Sequence, residues 1–292
     1  PAPLVTIEIG ELPIILSAPH GGGRGVPGVP EREGKGVRQF RNQADYATDR
    51  LTEALADAIE QRFGKRPYVV IARFHRKYID ANRPASGAYE TVKAKEAYDT
   101  YHAALAQARG EVARRWGRGV LFDIHGQGAD RTAIFRGTQN GKTTAHLVKK
   151  FGQEALIGQS SMFGQLAKQG LRVIPPPDAH DLEHGSYDGG YIVRTYGSDK
   201  GGTVDALQFE LGRGLRESKG RSDTAHKMAA ATLAFAKKYL PAQELSPIRV
   251  GVYRDEGAGP SVKEVLRALG KVERFKVREL KADDIRAGAL SE

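Results

Sequence analysis

Leu12-Pro13-Ile14-Ile15-Leu16-Ser17-Ala18-Pro19-His20-Gly21-Gly22-Gly23 decides how this chain reads. An apolar run too short for a helix ends at an imidazole followed by glycines. That pattern predicts a buried strand with His20 just past its C-terminal end. Val120-Leu121-Phe122-Asp123-Ile124-His125-Gly126 repeats it. Open α/β sheets take their ligands outside the carboxyl ends of the strands. His20 and His125 are therefore expected to meet at one sheet edge, with the small glycines leaving room for a ligand. Asp123, two residues before His125, either points to the opposite face or orients a neighbouring group.

Outward from these strands, Leu4–Ile9 alternates and Gly10-Glu11 turns, so residues 4–19 read as paired strands. Residues 24–41, rich in Gly, Pro, Arg and Glu, read as a surface loop. Asn42 is an expected N-cap for a helix carrying Leu51, Leu55, Ile59 and Phe63 at helical spacing. A strand at Tyr68–Ala72, a polar loop at 74–90 and a helix with Tyr98, Tyr101, Leu105, Val112 and Trp116 follow. A hairpin is expected around 130–141, helices near 143–151 and 161–169, strands at Leu171–Ile174 and Val204–Leu211, and a helix over 222–239. Alternating buried strands and helices predict a three-layer α/β domain over residues 1–245. After Pro241 the texture changes. Pro247–Tyr253, the Arg254–Gly259 loop, Val262–Leu269, Phe275–Val277 and Asp283–Ala289 read as a short βαβ segment over 246–292. It is expected either to open a second, flavodoxin-like or amidotransferase-like domain or to be an appendage.

Composition narrows the chemistry. Among 292 residues there is no Cys, which removes disulfides, thiolate nucleophiles and Cys-held metals. No apolar run approaches the ~18–20 residues of a membrane helix, so no membrane partner is expected. The formal net charge of +10 points to an anionic partner. No RNA- or DNA-reading element accompanies it, so the expected partner is a small acidic substrate and not nucleic acid. The start at Pro1, without Met or signal peptide, is read as that of a mature exported or trimmed chain. Bacterial cytoplasm and periplasm both stay open, as does the oligomeric state.

A zinc hydrolase needs three protein ligands and one open position. His20 and His125 supply two; Asp45 and Asp49, one helical turn apart after the Gly-rich loop, both qualify as the third. Glu210 is a lone acid in the apolar run Ala206–Leu211, costly there unless paired, and a fitting proton carrier. Arg76-Lys77-Tyr78-Ile79-Asp80-Ala81-Asn82-Arg83 concentrates groups suited to carboxylate binding, as do Arg213 and Arg216. Two look-alikes are set aside. Gly137–Thr143 has the residues of a phosphate loop, but its first Gly stands one residue too close and its setting is a hairpin turn. His180–His184 is not H-E-x-x-H and follows a Pro triplet, which argues for a loop.

In order along residues 12–240 these pieces resemble the N-formylglutamate amidohydrolase family. They are Ser17-Ala18-Pro19-His20-Gly21-Gly22, Ala44-Asp45-Tyr46 with Asp49, Arg76 with Asp80, Asn82 and Arg83, Asp123-Ile124-His125-Gly126, Gly189-Gly190-Tyr191 with Arg194, and Gln208-Phe209-Glu210. The resemblance implies a hydrolase-like α/β/α fold with a mixed central sheet and one zinc per chain. It implies His20, Asp45 and His125 as ligands, favouring Asp45 over Asp49, and Glu210 as the catalytic carboxylate. It also suggests Arg83 and Arg194 near the substrate. Arg76, Asp80, Asn82, Gly190 and Arg213 are further substrate-side candidates. The triple glycine, the basic insertion at 24–41 and the 248–292 extension depart from the family pattern. The implied reaction is zinc-assisted hydrolysis of an N-acyl acidic amino acid. Cleavage of a γ-glutamyl polymer or cell-wall peptide, and a metal-free binding module, are the competing readings.

Overall fold

The structure is a computed structural model describing residues 2–241, 248–255, 259, 261–269 and 275–287. The chain divides into two compact units, Pro1–Gln243 and Glu244–Glu292. In the first, the apolar runs form β1 (Val5–Glu8), β2 (Ile14–Ala18), β3 (Tyr68–Ala72), β4 (Gly119–Gln127), β5 (Ala133–Gly137), β6 (Arg172–Ile174) and β7 (Val204–Gly212). They build one sheet in the order β1-β3-β2-β4-β7-β5-β6. The centre, β3-β2-β4-β7, is parallel. β1 and β5 run antiparallel to β3 and β7, so the sheet is mixed. All of β2, β3 and β7 is buried, as strands covered on both faces must be.

The helices are α1 (Thr48–Phe63), α2 (Ala85–Ala88), α3 (Lys95–Trp116), α4 (Ala145–Phe151), α5 (Glu154–Ile157), α6 (Met162–Lys168), α7 (Tyr191–Tyr196), α8 (Arg213–Arg216) and α9 (Ser218–Tyr239). α1 packs on α9 over one face of the sheet, with α6 beside α9, while α3 and α7 cover the other. Leu51, Leu55, Ile59 and Phe63 are fully buried from α1. On the opposite face Tyr101, Leu105 and Val112 of α3 join Ile15, Val70, Leu121 and Ala206 in one cluster. Each such side chain contributes roughly 1.5–3 kcal/mol by leaving water, enough to pin both helices and so the loops that precede them.

Three expectations are corrected. β1 and β2 do not pair, because β3 lies between them. Its backbone approaches so closely at Gly10 that a Cβ there would lie 2.3 Å from the Tyr68 nitrogen. The 130–141 region is not a hairpin. Gln127 caps the preceding turn, bonding Asp130 and the Ala133 carbonyl, and β5 then pairs with β7 and β6. Finally, α1 begins at Thr48 and not after Asn42, which leaves Asp45 in the preceding loop and only Asp49 in the first turn.

The second unit contains β8 (Ile248–Tyr253), α10 (Val262–Leu269), β9 (Phe275–Leu280) and α11 (Ala282–Arg286). β8 and β9 pair in parallel, the register of a βαβ crossover. Pro247, residues 256–258 of the expected loop, and residues 288–289 of the expected last helix lie outside the described residues.

Candidate metal centre

His20 leaves the end of β2 and His125 lies near the end of β4, and their rings meet edge-on with centroids 4.9 Å apart. Asp45 reaches them from the loop before α1, its backbone N–H donating to the His20 carbonyl at 2.9 Å. The Asp45 Oδ2 atom lies 3.3 Å from His20 Nδ1 and 3.5 Å from His125 Nδ1. It also accepts the Gly126 N–H at 3.0 Å. One donor atom from each of the three residues falls within 4.8 Å of the others. Asp49 turns away and pairs with Arg73 at 3.5 Å. Gly21 to Gly23 line a cavity and Gly23 faces open space, while Gly21 and Gly126 also permit close packing. A Cβ on Gly21 would lie 2.3 Å from the Asp49 nitrogen, and one on Gly126 2.4 Å from the Arg216 guanidinium.

The outer nitrogens are held from behind. His20 Nε2 lies 2.7 Å from Asp80 Oδ1, and His125 Nε2 lies 2.8 Å from Asp123 Oδ2. Both acids are fully buried. Asp123 shares a face with His125 by the two-residue period, so it orients that histidine and does not point across the sheet. Its other oxygen accepts from Ser17 Oγ, which meets the Tyr101 hydroxyl, both at 2.7 Å. Asp80 accepts from Arg76 at 2.9–3.0 Å and from the Asn82 N–H at 3.1 Å. Burial alone would raise the Asp80 and Asp45 carboxyls. His20, then Arg76 at Asp80 and His125 at Asp45, outweigh it and hold both well below the carboxylate range. Burial likewise opposes charge on His125, yet Asp123 and Asp45 raise it well above an ordinary imidazole. A carboxylate on the outer nitrogen fixes tautomer and ring orientation and makes the inner nitrogen a better metal ligand. Two convergent imidazole nitrogens and one carboxylate match the protein donors of a catalytic zinc site.

Strand register then places Glu210 beside His125 and Gln208 beside Asp123. Glu210 is 8% exposed and accepts from Gln208 Nε2 at 2.9 Å. Burial pushes its carboxyl up to about 7, against the pull of His125, so it can hold or release a proton near neutrality. The Gln208 carbonyl oxygen accepts the Gly190 N–H at 2.7 Å. A Cβ on Gly190 would lie 2.1 Å from the Asn82 amide nitrogen, which is itself 3.5 Å from His125 Nε2. Asn82 and Gly190 thus stand behind the histidine and the acid.

The arginines divide sharply. Arg76 bridges Asp80 and, at 3.7 Å, Asp45. Arg83 donates to the Arg38 and Gln39 carbonyls at 3.0 and 2.7 Å. Arg194 is exposed on α7 and bonds the Gly189 carbonyl at 3.0 Å. Arg213 covers the Tyr46 ring and faces Glu217. Buried Arg216 holds the Leu211, Gln127 and Tyr46 carbonyls, tying the Asp45 turn to the ends of β4 and β7. Sequence reasoning passed over Arg32, Tyr187 and Glu183. The Glu183 carboxylate accepts from Arg136, from the Thr138 and Asn140 N–H groups and from Thr138 Oγ1. It thereby fuses the two set-aside motifs into one structural clamp. No periodicity marks such loop residues, and only an acid inside a Pro-flanked polar loop hinted at Glu183.

No protein-family profile and no curated protein sequence matches the chain. Among solved structures it is similar to N-formylglutamate amidohydrolase from Ralstonia eutropha JMP134, with TM-score 0.54, 17% identity, and 82% of this chain and 99% of that one covered. It is also similar to the gene product Atu2144 from Agrobacterium tumefaciens, with TM-score 0.50, 15% identity, and 81% and 96% covered. The fold is therefore that of an α/β/α hydrolase with a mixed sheet. Within that class it is the fold of N-formylglutamate amidohydrolase.

Proposed function

We propose that the chain is a zinc-dependent amidohydrolase acting on an N-acyl acidic amino acid of the N-formylglutamate kind. One observation carries the reading. His20, His125 and Asp45 converge while each imidazole is braced by its own buried carboxylate, and a proton-ready acid lies alongside. His20 Nδ1, His125 Nδ1 and an Asp45 oxygen would hold the ion. A zinc ion held by these residues would supply Lewis-acid polarisation of an amide carbonyl and a lower pKa for water. Glu210 takes the proton from the attacking water and returns it to the amide nitrogen as the C–N bond breaks, releasing the acyl group as a carboxylate and the amino acid as a free amine. Arg76 and Asp80 keep His20 in place, Asp123 and Asn82 keep His125 in place, and Gln208 orients Glu210. The likeness in fold to an N-formylglutamate amidohydrolase supports the substrate class.

A second reading, cleavage of a γ-glutamyl polymer or acidic cell-wall peptide, draws support from the net charge of +10. Incubating the zinc-loaded protein with N-formyl-L-glutamate, other formyl-amino acids, poly-γ-glutamate and peptidoglycan fragments separates the two. Release of formate is expected. Turnover of polymer alone would favour the second reading, and no turnover with no bound zinc would leave a binding module.

A further inference from the structure

The insertion at 24–41 reads as a solvated basic loop, yet its second half is fixed from inside. Arg32 is 5% exposed. It donates to the Arg41 carbonyl at 2.9 Å and the Arg76 carbonyl at 2.8 Å, while its ring-facing side covers Phe40 at 4.9 Å. Arg83 grips two carbonyls slightly further back, those of Arg38 and Gln39. Both anchoring guanidinium groups lie about one ion-pair length from Asp80, at 4.0 and 3.8 Å, the carboxylate that braces His20. Glu90 fastens the loop start by accepting the Glu33 and Gly34 N–H groups at 2.9 and 2.6 Å. Burying a cation such as Arg32 is costly unless it is well bonded, so a loop built on one is built to be held still.

What this loop presents is the exposed side chain of Arg41, with Arg38 nearby in sequence. Among the described residues neither enters an ion pair, whereas the forks of Arg76, Arg83, Arg194 and Arg216 all have protein partners. The backbone of Arg41 is tied to the site: the Arg32 amino group that holds its carbonyl at 2.9 Å lies 4.0 Å from Asp80, the brace of His20, and the next residue, Asn42, lines a cavity with Gly21. The Tyr187 ring packs 4.9 Å from that of Phe135, the register partner of Glu210. Burial and the Glu210 charge raise the Tyr187 phenol, and Arg41 draws it back down.

We propose that Arg41 is the specificity-determining residue, binding the carboxylate of the acidic substrate through its open fork, with Arg32 and Arg83 as the positioning residues that hold its backbone. This rests on the amidohydrolase reading for the reaction, and it moves carboxylate recognition from Arg83 to the insertion. A planar guanidinium with an unoccupied edge binds a carboxylate bidentately. Arg83 has committed its two amino groups to carbonyls, so it cannot offer that edge without releasing the loop.

The test compares N-formyl-L-glutamate with N-formyl-L-glutamine, which differ only in the side-chain carboxylate. In Arg41→Ala the ratio of their kcat/KM values should fall about tenfold to a hundredfold, the range of a hydrogen bond to a charged group. Arg41→Lys should recover part of it. Calorimetric titration of L-glutamate into the zinc-loaded protein reads the same contact without turnover, and Arg41→Ala should weaken it by a similar factor. Should the wild type hydrolyse neither formyl-amino acid, the reaction assignment fails, and the titration alone then decides Arg41. An unchanged substrate ratio, or L-glutamate binding equal in both proteins or absent from both, overturns the proposal.

Discussion

The interior of the site and its rim are built from the same residue types under opposite rules. Inside, His20, His125, Asp80 and Asp123 are buried and every outer imidazole nitrogen has a carboxylate. At the rim, Arg38, Arg41, Arg194 and Arg213 stand in water. Buried charge is tolerated only when paired, so the interior admits few alternative arrangements. Exposed cations are screened and free to change. Under the proposed function, the chemistry falls to the interior and the choice of substrate to the rim. Changes inside should then cost far more than changes outside.

The largest effect is expected at the convergent donors. His20→Ala with His125→Ala should abolish stoichiometric zinc in protein purified without chelator and remove activity with it. Elemental analysis beside circular dichroism is the check, and a folded double variant that keeps one zinc per chain would break the division at its centre. Asp49→Asn should leave zinc content unchanged, because that side chain faces Arg73.

Next comes Glu210→Gln, which keeps size and one hydrogen bond but cannot carry a proton. Its kcat should fall ~10²–10⁴-fold with zinc retained. Stability adds an independent sign. The folded carboxyl sits at about 7, above its ordinary 4.5. Between those values the folded state therefore binds more protons than the unfolded, and stability of the metal-free protein falls as pH rises. Metal-free Glu210→Gln should match wild type near pH 4 and melt higher above pH 7. A variant that melts lower at pH 8 while staying active would make Glu210 a structural ion-pair partner.

Smaller again is Asp123→Asn. It keeps a group beside His125 Nε2 but loses the negative charge that fixes the tautomer. Zinc affinity should fall about 10- to 100-fold, measured by competition with a chelator. An unchanged affinity would mean that the strand alone orients His125.

How far each region was legible follows from the same rules. The strand ends carrying His20 and His125 announce themselves through apolar runs, since burial on both faces leaves a continuous hydrophobic signature. Glu210 stood out because an acid in such a run needs a reason. Asp123 was legible as a choice between two faces, and the two-residue period with the Ser17 register settled it. Asp80 read as a substrate contact because its partner, His20, is distant in sequence. Strand order also stayed hidden, since β3 enters between β1 and β2 from far along the chain. The rim was least legible. Arg32 looks like any surface cation until the carbonyls around it are seen, and carbonyls carry no sequence signal.

Arg83 tests the border between the two regions, and the smallest effect is expected there. The sequence expectation places its guanidinium on the substrate, whereas the structure places it on the Arg38 and Gln39 carbonyls and 3.8 Å from Asp80. It is about a quarter exposed, so water can replace part of what it donates, and Arg32 still anchors the neighbouring Arg41 carbonyl. Arg83→Ala should therefore raise KM for N-formyl-L-glutamate only several-fold, below the effect of losing a direct hydrogen bond to a charged group. It should leave zinc content unchanged. Combined with Arg41→Ala it should add little, because a loop that no longer carries the binding group gains nothing from being held. A direct contact gives the opposite pattern: Arg83→Ala alone would collapse the acid-over-amide preference, and the two substitutions would add. The double-mutant cycle on kcat/KM for the two formyl-amino acids reads that difference. Additivity would return Arg83 to the substrate and leave the insertion as a solvated loop.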